Sequence, residues 1–204
     1  MGTRLREIVE HMRTLELQLE HEWHVARDKW GYRFDARRVR FDPAVRERHR
    51  QLKRSILQFL RESDPLHFLT APVIYSLLLP FALLDLWVSG YQLICFRVYG
   101  IARVDRRRFM AMDRHQLAYL NGIEKVHCTY CSYVNGVIGY TREVAARTEQ
   151  YWCPIKHARR FEGPHARYGA FPDYGDAQGY RSTLPALRKS LREESDDRRG
   201  TGAA

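Results

Sequence analysis

At 204 residues the chain has room for one domain, or for a small domain with a membrane anchor. It is basic, with a formal net charge of +10, which points to nucleic acid or the anionic face of a bilayer as partner. It carries no phosphate-binding loop, nucleophile elbow or dinucleotide fingerprint, which excludes the common nucleotide-binding and hydrolase signatures.

The N-terminal sequence MGTRLREIVEHMRTLE is charged and amphipathic, unlike a signal peptide. Residues 3–30 read as a helix, with Thr3 as its cap and Gly31 as its stop. Leu5, Ile8, Met12, Leu15, Leu19, Trp23, Ala26 and Trp30 recur at spacings of three and four, giving one apolar stripe. Such a stripe buries against a partner helix or lies on a bilayer. Its polar face is not dominantly basic, so the expectation is a protein partner. His11, Glu20, His21, Glu22 and His24 read as a solvated charged face. Between Gly31 and Pro43 the alternation of Tyr32, Phe34, Val39 and Phe41 suits a short two-stranded hairpin, or equally a basic loop at headgroup level. Asp42-Pro43 opens a second helix that runs to about Glu62, and Ser63-Asp64-Pro65 punctuates it.

From Leu66 to Phe96 the sequence LHFLTAPVIYSLLLPFALLDLWVSGYQLICF carries one charged side chain, Asp85. About 20 apolar residues cross a bilayer, so this is a membrane segment by length and composition. Pro72 and Pro80 interrupt it. Two arms of about 14 residues would each reach roughly 21 Å, short of the roughly 30 Å hydrocarbon core. A re-entrant hairpin using the cytoplasmic face fits that length, and so does one tilted, Pro-kinked span. Lys53, Arg54 and Arg61 precede the segment, and Arg97, Arg103 and Arg106-Arg107-Arg108 follow it. Neither flank therefore looks exported, and both are expected in the cytoplasm, where thiols stay reduced. An acid at membrane depth is costly. Asp85 is expected to pair with a base, relay a proton, bind a polar head group or cap the half-helix after Pro80. The basic clusters, including Arg37, Arg38 and Arg40, suit anionic lipid better than nucleic acid.

After the membrane segment, RVYGIARVDRRRFMAM reads as an irregular or extended basic strip. Asp113 caps a third helical region, RHQLAYLN, and residues 123–152 read as mainly helical although Gly122, Gly136 and Gly139 interrupt them. Here Cys128-Thr-Tyr-Cys131 is followed by Cys153-Pro-Ile-Lys-His157. A Cys-x2-Cys and a Cys-x3-His pair supply the ligand set of a tetrahedral zinc ion. An iron–sulfur cluster, a redox dithiol or buried thiols without metal are the alternatives. His127 and His165 are rival fourth ligands. Glu124-x-x-His127 has the di-iron spacing but occurs once where two copies are needed. Beyond Gly163 lie a Gly/Pro/Tyr-rich stretch, a short helical piece over 182–191 and the tail EESDDRRGTGAA, whose composition does not order itself.

The block LNGIEKVHCTYCSYVNGVIGYTREVAARTEQYWCPIKHARR, which ends at Arg160, resembles small uncharacterised bacterial membrane proteins, as does the apolar segment. That resemblance implies membrane residence and no particular activity.

The expected architecture is all-α: an amphipathic helical region over 1–64, a re-entrant or Pro-kinked membrane segment over 65–97, a Cys3His-stapled helical subdomain over 98–162 and a Gly/Pro/Tyr-rich, disordered tail over 163–204. Two functions are compatible with it. One is a membrane-anchored, zinc-stabilised cytoplasmic adaptor or assembly factor without catalysis. The other is a membrane-surface metalloenzyme or redox protein acting on lipid or quinone through the Cys/His site and Asp85.

Overall fold

The structure, a computed structural model, describes residues 3–35 and 38–200. The chain is mostly helical and divides into two compact units, Met1–Ser63 with Asp113–Cys128, and Asp64–Met112 with Thr129–Ala204.

The first unit opens with α1 (Thr3–Trp30), stopped as predicted by Gly31, whose φ of +59° favours glycine. The hairpin forms: β1 (Tyr32–Asp35) pairs antiparallel with β2 (Arg38–Phe41), with Tyr32 opposite Phe41. Its aromatic side continues into His49, 5.1 Å from Phe41, and on to Tyr119, 5.1 Å from His49. The helix expected over 43–62 is two helices, α2 (Pro43–Gln51) and α3 (Ile56–Glu62). Ser55 is the cause. Its hydroxyl accepts from the Gln58 N–H at 3.1 Å and starts a new helix. The region after Asp113 holds a 3-10 turn over Arg114–Gln116 rather than a third helix. On α1, the predicted stripe leaves Leu15, Leu19, Trp23 and Trp30 between 50% and 67% exposed. The side chains of Leu5, Ile8 and Met12 in that stripe, and of Arg37 and Arg38, lie outside the described residues.

In the second unit, α4 (Pro65–Ser76), α5 (Leu78–Tyr91), a π-helical turn over Gln92–Phe96 and α6 (Arg97–Tyr99) make one helical path of 35 residues. It is long and apolar enough to cross a membrane. The Asp64 side chain caps its start, accepting from the Leu66 N–H at 2.9 Å. The run does not turn back on itself as a re-entrant hairpin would. Leu77 stays helical at φ −65° and ψ −17°, and its carbonyl accepts from the Phe81 N–H at 3.2 Å. Pro80 falls in the first turn of α5, where a missing donor costs little, so the ladder resumes without turning the chain back. Gly100, at φ +67°, ends the run.

The chain then returns along the same helix. The Ile101 N–H bonds to the Phe96 carbonyl at 2.9 Å, Val104 pairs with Gln92, and Arg106 reaches Asp85. The later part of α7 (Gly122–Trp152) and α8 (Ala177–Gly200) complete the unit. Gly136 and Gly139 do not interrupt α7. They let the return segment lie on it. A Cβ on Gly136 would stand 2.6 Å from the Met110 sulfur and 2.7 Å from the Phe109 carbonyl oxygen. One on Gly139 would stand 3.1 Å from the Phe109 ring. The core gathers Phe96, Ile101, Val104, Tyr140, Val144 and Leu191. α8 exceeds the expected 182–191 at both ends and carries EESDDRRG within it. Buried Leu191 anchors it, and its Glu and Arg residues favour continuation of the helix.

Replacing glycine by alanine inside a helix ordinarily stabilises by up to about 1 kcal/mol. At Gly136 the sign reverses, because backbone must move to admit the methyl group. Gly136→Ala is expected to cost about 1–3 kcal/mol, read as a lower Tm in circular-dichroism melts.

Candidate functional site

Within the apolar run, Asp85, Ser89 and Gln92 fall at helical spacings of four and three, on one face. Helix α7 presents Tyr130, Tyr133, Tyr140 and Tyr151, also on one face. The two rows meet. Tyr130 donates to the Ile74 carbonyl at 2.9 Å and Tyr133 donates to Asp85 Oδ2 at 3.0 Å. The Tyr140 hydroxyl accepts from Gln92 Nε2 at 2.7 Å and lies 3.2 Å from Ser89 Oγ. The Tyr151 ring stacks on Tyr99 at 5.1 Å. Contacts climb both helices together, so they run side by side in the same direction. Tyrosine suits this seam, since its ring covers apolar surface while its hydroxyl meets a polar group.

Asp85 is 8% exposed and fully engaged. Arg106 donates through Nε to Oδ1 at 2.8 Å and through Nη2 to Oδ2, and Tyr133 adds a third bond. Of the roles expected for this acid, pairing with a base is the one the geometry supplies. The hydrogen bond to Asp85 holds the Arg106 guanidinium above its ordinary value. Burial, and then the bond to Asp85, pushes the Tyr133 phenol up. Both therefore remain donors at neutral pH. Gln92, 4% exposed, makes a two-bond pair with Val104: the Val104 N–H donates to Oε1 at 3.0 Å, and Nε2 donates to the Val104 carbonyl at 3.3 Å. The sequence reading found Asp85 and missed Gln92 and the tyrosine row. The signal was present in the matched spacing of the two polar stripes.

The expected Cys3His centre does not assemble. Cys131 lies on α7 and Cys153 just past its C-terminus, about 33 Å apart at roughly 1.5 Å per residue. A zinc ion holds its ligands at roughly 2.0–2.3 Å, so one ion cannot join these two clamps. Cys128 and Cys131 stand one turn apart on α7, while the His157 ring packs 5.0 Å from Phe161 and 6.0 Å from Tyr168. His165, a rival ligand, lies 3.0 Å from Glu149 through Nε2. Among the described residues no group of three or more His, Cys, Asp or Glu could hold a metal ion. The residues present do not fit a four-ligand zinc or iron–sulfur site. Glu124, from the Glu-x-x-His spacing, instead closes a capping box: it accepts from the Asn121 N–H at 2.8 Å while Asn121 Oδ1 accepts from the Glu124 N–H at 3.0 Å.

Further along α7 a charged network is half-buried. Glu143 accepts from Arg147 Nε at 2.8 Å and Arg167 Nη2 at 2.9 Å, and Arg167 forks onto Glu194 at 2.8 and 2.9 Å. Burial pushes the Glu143 carboxyl up, but the two guanidiniums outweigh it and hold the group below its ordinary value. The loop after α7 surrounds an open cavity of about 1090 Å³, walled in part by Lys156, His157, Arg159, Arg160 and Phe161.

Comparison of the chain with family models, curated proteins and solved structures finds no match.

Two measurements follow. Cys153 is exposed, so Cys153→Ser should change stability by no more than about 0.5 kcal/mol, whereas loss of a structural metal would unfold the helices around it. Glu143 has a folded pKa below its ordinary 4.5. Its stabilisation is complete above that value and is lost as pH falls through the folded pKa. Glu143→Gln should be less stable than the parent at pH 7 and show a shallower loss in acid titration below about pH 4.5.

Proposed function

We propose that the protein is a membrane-anchored, non-catalytic adaptor or assembly factor. Its long apolar helix lies in the bilayer, and the return segment, the later part of α7 and α8 form a body along that helix. The observation that carries this reading is the two-sidedness of the run Pro65–Tyr99. One face is bonded to α7. The other leaves Leu69 75%, Leu83 57%, Leu86 71% and Trp87 80% exposed. In water a continuous apolar surface of this kind invites aggregation. In lipid it needs no partner, because a helix satisfies its own backbone.

The adaptor role is supported by the closed state of the polar seam. Asp85 and Gln92 are already paired within the chain, which suits a clamp that sets helix orientation better than a reacting centre. The apolar stripe of α1, exposed at Leu15, Leu19, Trp23 and Trp30, is the surface through which a protein partner would be recruited. Free thiols and basic flanks favour the cytoplasmic face for the body. A redox or metalloenzyme reading would have to work with Cys128 and Cys131 alone.

The full chain should stay in the membrane fraction through high salt and alkaline carbonate. Release by carbonate would mark a peripheral, charge-held protein and end this reading.

A further inference from the structure

We infer that the run Pro65–Tyr99 lies in the plane of one leaflet, immersed along its outward face, and does not cross the bilayer. This rests on the membrane reading above and adds its orientation.

The outward apolar strip continues well past Asp85. Leu86, Trp87, Ile94 and Val98 are between 67% and 80% exposed. A span needs about 20 residues. The one such window of this run that excludes Asp85 is 65–84. That window would leave the strip from Leu86 to Val98, about 18 Å long, in water. Any later window takes Asp85 into hydrocarbon and Arg106 with it, since the two share a bidentate bond. The windows that start latest would add Val104 and its neighbours Arg103 and Asp105, held beside Gln92.

The inward side is also occupied. Tyr75 meets the Tyr130 ring on α7, and from Asp85 to Tyr99, whose ring meets Tyr151, the inward face is held by α7 or by the return segment. The stretch before the first of these ring contacts, residues 65–74, is about 15 Å long, half of the roughly 30 Å hydrocarbon core. A helix clothed on one side by a polar body and bare along the opposite side matches a surface, not a cylinder of lipid. Charge agrees: Arg97 on the run and Arg107 and Arg108 on the return segment are exposed, in a chain of net charge +10. Together they provide cations at headgroup height for anionic lipid, the arrangement expected of an interfacial helix. The occupant of the outward strip is therefore the acyl boundary of an anionic leaflet.

The test uses the full chain with vesicles of phosphatidylcholine and phosphatidylglycerol. Flotation with the vesicles reports the membrane reading by itself; if the parent does not float, that reading fails and this one with it. Seating is reported by the double variant Leu86→Glu with Ile94→Glu, whose fold is checked by circular dichroism. In-plane seating expects at least about tenfold weaker vesicle binding, since each leucine-sized side chain left unburied is worth that factor or more. Unchanged binding would place both residues outside the lipid and overturn the inference. A second measurement needs no substitution in the fold. Tags at the two termini of the native sequence should be cleaved from the same side of sealed membranes. Cleavage from opposite sides would establish a crossing helix, leaving membrane residence intact and the in-plane seating refuted. A stable dimer that shields the strip and does not float would assign it to a second copy and overturn the inference as well.

Discussion

A helix that is apolar on nearly every side has little reason to prefer one rotation about its axis over another. The Asp85–Arg106 pair supplies that reason. Asp85, its side chain 12% exposed, must face Arg106, and Arg106 leads the chain that comes back from the end of the same helix. Rotating the helix by half a turn would leave a carboxylate unpaired in an apolar setting, which is far costlier than the pair is favourable. The pair's contribution is thus to register more than to net stability. Ser89 and Gln92 lie one and two turns further on and inherit the same facing, which brings both to Tyr140.

The return segment poses a backbone problem that its neighbours solve one group at a time. Residues 101–105 belong to no helix or sheet, so their N–H and C=O groups need partners elsewhere. The Ala102 N–H bonds to the Leu191 carbonyl at 3.2 Å, and the Ala102 carbonyl accepts from Arg147 Nη1 at 2.7 Å. Val104 receives both of its bonds from the Gln92 side chain. Arg147, its side chain 6% exposed, can be buried because Glu143 and Glu194 neutralise it. The charged network on α7 and the amide on the apolar helix therefore serve one purpose. They stand in for the missing strand, which lets a segment carrying Arg103, Asp105 and Arg106 lie between two helices.

The elements that local chemistry decides were legible in the sequence. Gly31 ended α1, the alternation of Tyr32, Phe34, Val39 and Phe41 allowed the hairpin that forms as well as a basic loop, and Asp64-Pro65 opened the apolar run. The misreadings share a cause, which is that a local breaker was weighed without its tertiary setting. Pro80 reads as a break, but it falls within the first turn of α5. Gly136 and Gly139 read as interruptions of α7, but they are where Phe109 and Met110 approach. Ser55 reads as an unremarkable helical residue, but it caps α3. The cysteine clamps failed for the complementary reason. Their spacing suits one ion only if the chain reverses between them, and the residues between, TREVAARTEQYW above all, are strong enough helix formers to carry α7 straight through.

The balance of charge around the apolar segment has the same lesson in it. Residues 1–65 and 97–204 are both basic, with 15 and 19 Lys+Arg against 11 and 12 Asp+Glu. The positive-inside rule works on a difference between flanks, and here there is hardly one. A hairpin resolves that symmetry by turning back, but the helical ladder through Leu77 removes the turn. An interfacial helix resolves it without any turn, because both of its ends remain on the side from which it docked. It also removes the need to explain why an apolar run of 35 residues exceeds the bilayer it would cross. Its contacts with α7, from Tyr75 on Tyr130 to Tyr99 on Tyr151, extend over most of its length.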